Sequence, residues 1–281
     1  MKVSLIVPTY NRRELLRETI ESIVNQSYTN WELIVVDDGS SDGTDTLVGN
    51  YCEQDKRIGY FQRPSGMAKG PNSCRNFGFL RSAGELVKWV DSDDLLAKDA
   101  LQNQVEVFKT NPTIKLCLGY GSIFFDNPSS TDGLWSRSNR SDDYFADHIR
   151  SKIRWPIGGI LWKRTIFKAV PFRANLKNSQ EWLLHSQSLL QVRSNEIYNF
   201  TDVVYFVRKG HLRLSSSNTA GYSFHQAKAR IVLFVEMLRQ RHPCFLNYFE
   251  VIKQVLINSF YGFSAVVRSS NLFPRDHTYS E

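Results

Sequence analysis

Four cysteines in 281 residues, with no C-x-x-C spacing among Cys52, Cys74, Cys117 and Cys244, exclude a disulfide framework and a zinc-knuckle site. No signal peptide precedes the first apolar run, so a reducing cytoplasm is the expected compartment. The best candidate for a membrane span, the uncharged stretch Gln254 to Val267, is too short to cross a bilayer and is interrupted by Asn258, Ser259 and Ser264. Neither common phosphate loop occurs. There is no G-x-G-x-x-G after the first strand pattern and no G-x-x-x-x-G-K-[ST] anywhere, which takes most of the weight from dinucleotide and P-loop chemistry.

What is present is an ordinary globular composition with 42% hydrophobic and 22% charged residues, enough for one large core without staples. A formal charge of +7 favours anionic partners. With no zinc-ligand spacing and no RNA-binding aromatic signature, nucleic acid is not an expected partner.

The first hundred residues alternate strand and helix patterns, the basis of a βαβ parallel sheet. Strands are expected at Val3 to Val7, Glu32 to Val36, Ile58 to Gln62 and Leu86 to Val90. Helices are expected over the stripe Leu15, Leu16, Thr19, Ile20, Ile23 and Val24, then at Thr44 to Tyr51, Asn72 to Ser82 and Asp99 to Lys109. Another strand follows at Lys115 to Tyr120. The Ser-, Asn-, Asp- and Gly-rich stretch Asp126 to Asp147 reads as a long surface loop or lid. Beyond Tyr222 the pattern turns to long helices, with Phe224, Ala227, Ile231, Val235 and Leu238 on one face and a break near Pro243. The expected division is residues 1–221 as an α/β domain and 222–281 as a helical extension.

Ligands collect beyond the carboxyl ends of parallel strands. Three polar clusters stand at such ends: Pro8-Thr9-Tyr10-Asn11, Asp37-Asp38-Gly39-Ser40 and Asp91-Ser92-Asp93-Asp94. Asp and Ser also serve as caps and turn formers, and Asp37 and Asp38 alone are read equally well that way. Three carboxylates in four residues repel one another unless compensated, and they suit a hard cation such as Mg²⁺ or Mn²⁺.

The strings SLIVPTYNR, ELIVVDDGSSDGT, NSCRNFG and WVDSDD, in this order and spacing, resemble the family 2 glycosyltransferases with the GT-A fold. That fold is Rossmann-like: an α/β, mostly parallel sheet flanked by helices, here with a C-terminal helical extension. The resemblance implies an inverting transferase that uses a nucleotide-sugar donor, mostly UDP-linked, a divalent cation, Mn²⁺ or Mg²⁺, and a saccharide or lipid-linked acceptor in surface polysaccharide or glycolipid assembly. It places Pro8, Thr9 and Tyr10 at the base and ribose, with Asp38 accepting a hydrogen bond there and Asp37 orienting the turn. Arg75 of the R-N pair contacts the nucleotide, and Lys69 assists the phosphates unless it is merely a solvated loop lysine. Asp93 binds the metal, Asp91 shares the metal or holds the ribose, and Asp94 caps the following segment.

The E-D-W or Q-D-W string of the family is matched by Gln180-Glu181-Trp182, which makes Glu181 the general-base candidate, against the plainer reading of a first-turn helix acid. The usual Asp is replaced by Glu, and this keeps a catalytically inactive, nucleotide-binding scaffold as the alternative. A sugar-phosphate nucleotidyltransferase is disfavoured because its Gly-rich first loop is missing. By the same family resemblance, the string Arg208-Lys209-Gly210-His211, followed by Ser215-Ser216-Ser217, makes His211 a candidate for the metal or diphosphate. The C-terminal helices read either as a basic, aromatic-rich surface resting on the inner face of an anionic membrane or, as the plainer reading, as a pair packed on the catalytic core. Oligomeric state, sugar and acceptor are not legible.

Overall fold

The computed structural model describes residues 1–135, 138–210 and 220–269, without the side chains of 220 and 266–269. They divide into two compact units, one of residues 1–175 with 184–211 and one joining 176–183 to the C-terminal helices.

In the first unit, strands β1 (Val3–Thr9), β2 (Trp31–Asp37), β3 (Ile58–Gln62) and β4 (Leu86–Trp89) alternate with helices α1 (Arg13–Val24), α2 (Thr44–Gln54) and α3 (Pro71–Arg81). The four strands are parallel in the order β3-β2-β1-β4. Strands β1, β2 and β4 are buried on both faces, and β1 and β2 accordingly read as nearly continuous Val/Ile/Leu runs, whereas the edge strand β3 buries only Ile58. Helix α1 turns Leu16, Thr19, Ile20 and Ile23 inward, as its period predicts. The turn after β4 leads to the two-residue β5 (Leu95–Leu96) and to α4 (Ala100–Thr110).

The sheet then becomes mixed. Strands β6 (Leu116–Phe124), β8 (Ile160–Lys163) and β9 (Ile197–Arg208) extend it in the order β4-β8-β6-β9-β5, β8 running antiparallel to both neighbours and β9 parallel to β6. The stretch read as a long loop or lid is not one. Strand β7 (Thr131–Leu134) folds back on β6, and α5 (Tyr144–Ile149) follows, with the Asp143 carboxylate accepting the Ala146 N–H at 2.9 Å as its N-cap. Phe145 and Ile149 anchor α5 in the core. An aromatic cluster sits beneath β4 and β8, with the Trp89 and Trp162 rings 5.0 Å apart and edge-on.

Lys88 of β4 is fully buried, donating to Gln104 Oε1 at 2.8 Å and to the Ile160 carbonyl at 3.3 Å. Gln104 in turn donates to the Cys117 and Gly159 carbonyls. Burial brings the Lys88 pKa down to about 7, with Cys117 acting the other way. An unfolded lysine titrates near 10.4, so between pH 7 and 10 the unfolded chain holds the extra proton, and this contribution to stability rises with pH across that window. Lys88→Met, measured by denaturant midpoints at pH 7 and pH 9.5, is expected to show a flatter pH dependence than the parent; parallel slopes would refute the assignment.

The second unit contains the start of α6 (Gln180–Leu189) together with α7 (Ala220–Arg239) and α8 (Phe245–Ser269), which form an antiparallel pair. Asn178 donates to the Tyr222 carbonyl at 2.8 Å, and the Arg230 guanidinium lies 3.9 Å from the Trp182 ring centre. Of the face read on α7, Ala227 is buried while Phe224, Ile231, Val235 and Leu238 are exposed.

Candidate active site

The register Thr9↔Asp37↔Gln62 aligns the carboxyl ends of β1, β2 and β3, and β4 ends beside β1. Each end carries polar residues. Thr9 is buried and its hydroxyl has no partner among the described residues. Tyr10 is 45% exposed, and the Lys69 ammonium lies 4.3 Å from its ring centre, so these two candidates meet. Asn11 adopts the left-handed backbone conformation (φ 48°) and is bonded to the β2 turn, its N–H donating to Ser40 Oγ and its side-chain oxygen accepting from Ser41 N–H.

The two acids of the β2 turn part company. Asp37 Oδ1 accepts from the Gly39 and Ser40 N–H groups and from the Ser40 hydroxyl, and its Oδ2 accepts from the Tyr60 hydroxyl at 2.6 Å. This set orients the turn, and Gly39, at φ +95°, supplies the conformation it requires. Burial and the neighbouring Asp37 carboxylate push the Tyr60 phenol above its ordinary range. Asp38, nearly buried, instead receives the Arg63 guanidinium, which also reaches the carbonyls of Pro64 and Met67.

The acidic cluster lies in the turn between β4 and β5. One carboxylate oxygen each from Asp91, Asp93 and Asp94 lie within 4.8 Å of one another, close enough to share a single divalent cation. The repulsion is offset by two guanidiniums. Arg12 reaches Asp93 Oδ2 at 2.6 Å, and Arg75, itself 4% exposed, reaches Asp91 Oδ1 at 2.7 Å. The turn is held from behind by β9. The Asp91 N–H donates to the Tyr205 hydroxyl, Arg208 Nε donates to the Asp93 carbonyl, and the Arg208 N–H donates to Asp94 Oδ1 at 2.9 Å. Arg208 also pairs with Glu18 of α1. Burial, then the charges of Asp94 and Asp91, raise the Tyr205 phenol well above its usual range. Asp94, 2% exposed with one oxygen on the β9 backbone, is thus built into the turn.

Arg75 and Asn76 divide their work. Asn76 makes two hydrogen bonds to the Phe172 backbone, and Asn72 one to the Arg173 carbonyl, so α3 anchors that segment while Arg75 faces Asp91. Arg12, Arg63, Tyr205 and Arg208 are site residues that the motifs did not single out for a role. Glu181 lies in the first turn of α6, half-buried, in the second unit. His211 lies outside the described residues.

Tyr205 gives the site a point of fragility. A methyl group added at Gly158 would stand 2.0 Å from its ring, and neither partner has room to yield. Gly158→Ala is expected to destabilise the fold by about 1–3 kcal/mol; an unchanged melting temperature would show that Tyr205 is not held as described.

The glycosyl transferase family 2 model matches residues 4–168, more than half of the chain and every motif from β1 through the acidic turn. An uncharacterized glycosyltransferase of Haemophilus influenzae is 29% identical over 215 residues, covering 76% of this chain and 82% of that one. Three other curated relatives are much longer, the chain spanning 28, 20 and 20% of their lengths. Among solved structures, S. aureus TarS in complex with UDP-GlcNAc superposes with a TM-score of 0.69 at 20% identity, over 98% of this chain and 77% of that one. A mannosyltransferase from Pyrobaculum calidifontis in complex with GDP-Man and Mn²⁺ superposes at 0.60 and 18% identity, over 97% and 76%. These two share the fold, and the matched family model places the protein: the chain belongs to glycosyl transferase family 2.

Proposed function

We propose that the chain transfers a sugar, with inversion at the anomeric carbon, from a nucleotide-sugar donor, UDP-linked in the simplest case, to a hydroxyl of a saccharide or lipid-linked acceptor in surface polysaccharide or glycolipid assembly. The observation that carries this reading is the set of three carboxylates gathered at the end of β4, beside the polar ends of β1 and β2. Oxygen donors of this kind fit Mn²⁺ or Mg²⁺, and the Pyrobaculum enzyme holds Mn²⁺ with its donor. A cation held by Asp93 and Asp91 would act as a Lewis acid for the departing diphosphate.

The remaining work belongs to the chain's own groups. Pro8, Thr9 and Tyr10 form the end of β1 against which the base rests, and Asp38, oriented by Arg63, accepts its hydrogen bond. Lys69 stands over Tyr10, where its charge serves the phosphates. Arg75 keeps the Asp91 carboxylate in place. Glu181 takes the proton from the acceptor hydroxyl as it attacks. This assignment rests on the Gln180-Glu181-Trp182 string, as the assignment of His211 to the metal or diphosphate rests on the Arg208-Lys209-Gly210-His211 string.

A panel of nucleotide sugars, scored by release of the nucleoside diphosphate with Mn²⁺ or Mg²⁺, tests the proposal. Release from one donor above the rate of hydrolysis supports it. Nucleotide binding without release from any donor, across a full acceptor panel, would favour the inactive scaffold instead.

A further inference from the structure

Helix α8 carries a long exposed apolar stripe. Several of its uncharged polar residues are turned inward with Val251, while Lys253 is exposed. Asn247, 1% exposed, lies 3.0 Å from the His242 ring, Gln254 accepts from Arg230, and Asn258 donates to the Gln254 carbonyl. The outward positions Phe245, Phe249, Ile252, Leu256, Phe260 and Phe263 recur at spacings of three and four and are 43–79% exposed. Helix α7 buries Leu233 and Met237 but leaves Ile231 and Leu238 at least half exposed. Both helices therefore present apolar side chains to the outside. An apolar surface of this extent marks an interaction site.

The charges indicate what covers it. Lys228, Arg239, Arg241 and Lys253 are exposed. The two acids of the helices are half-buried and engaged, Glu250 lying 3.8 Å from Lys253 and Glu236 accepting from Gln240 at 2.7 Å. A second copy brought face to face would set like charges together, with no exposed acid among the described residues of the two helices to meet them. An anionic lipid surface instead satisfies both features, taking the aromatic and aliphatic side chains below the headgroups while lysine and arginine reach the phosphates. Among the described residues no helix is long and apolar enough to cross a membrane, so the pair would lie in the plane of the interface. We infer that α7 and α8 form a docking surface for an anionic bilayer. The inference stands on the helical unit alone and does not depend on transfer activity.

Co-sedimentation of the full chain with vesicles tests it. The parent is expected to pellet with phosphatidylglycerol–phosphatidylethanolamine vesicles, to do so less as salt rises, and to remain in the supernatant with phosphatidylcholine. The triple variant Phe249→Glu, Leu256→Glu, Phe260→Glu should lose about tenfold or more in partitioning while melting as the parent does. Lys228→Glu with Arg239→Glu should weaken binding to the anionic vesicles alone. A parent that stays in the supernatant with both vesicle types overturns the inference. So does light scattering that shows a parent dimer dissociated by the triple variant without vesicle binding, which would assign the face to a second copy.

Discussion

Asp93→Asn is expected to lower the transfer rate by roughly 10²–10³-fold while leaving the melting temperature close to that of the parent. The substitution keeps the shape of the side chain and removes its charge. A neutral amide oxygen is a poorer ligand for a hard cation, and Arg12 loses the partner it holds at 2.6 Å. Asp94→Asn is the internal comparison. Its Oδ1 accepts the Arg208 N–H, a bond that an amide oxygen can keep, so this variant should lose far less activity. The decisive reading is kcat at saturating donor, taken as a function of Mn²⁺ concentration. Equal losses in the two variants would mean that the cluster acts as a whole and that the division of roles between Asp93 and Asp94 is wrong.

Glu181→Gln is expected to lower kcat by roughly 10²–10⁴-fold without altering the affinity for the donor nucleotide. A general base acts on the acceptor in the transition state, and its loss therefore appears in kcat rather than in donor binding. Glu181→Asp shortens the arm by one methylene and should recover only part of the rate, because small misplacements of a catalytic group are costly. If Glu181→Gln transfers at the parental rate, Glu181 is only an acid in the first turn of α6, favourable to the helix dipole.

The βαβ half of the fold was legible because β1, β2 and β4 are buried on both faces and α1 carries a clear apolar stripe, so hydrophobic pattern and burial agree there. Strand β9 was not. Its first half mixes apolar and polar residues and is buried only at Ile197, with Tyr198, Thr201 and Asp202 exposed, and a core stretch begins only at Val204. Its role is nevertheless central, since Tyr205 and Arg208 hold the acidic turn across more than a hundred residues of sequence. Nothing local marks such a residue. The same holds for Arg63, whose contact with Asp38 depends on β3 pairing beside β2 in register. Arg12 stood within a motif string, yet only the geometry shows that it neutralises Asp93. The 126–147 stretch misled through its composition, because Ser and Asp there form a hairpin and a helix cap as well as loop.

The central claim, a cation held by Asp93 and Asp91 that recruits a nucleoside diphosphate to the ends of β1 and β2, is tested most directly by titration calorimetry of UDP into the parent chain and into Asp93→Asn, with and without Mn²⁺. The account predicts binding to the parent in Mn²⁺ that is weakened about tenfold or more both by omitting the metal and by the substitution. Failure of UDP, GDP and TDP alike to bind the parent in Mn²⁺, or binding that is the same with and without the metal, would contradict it.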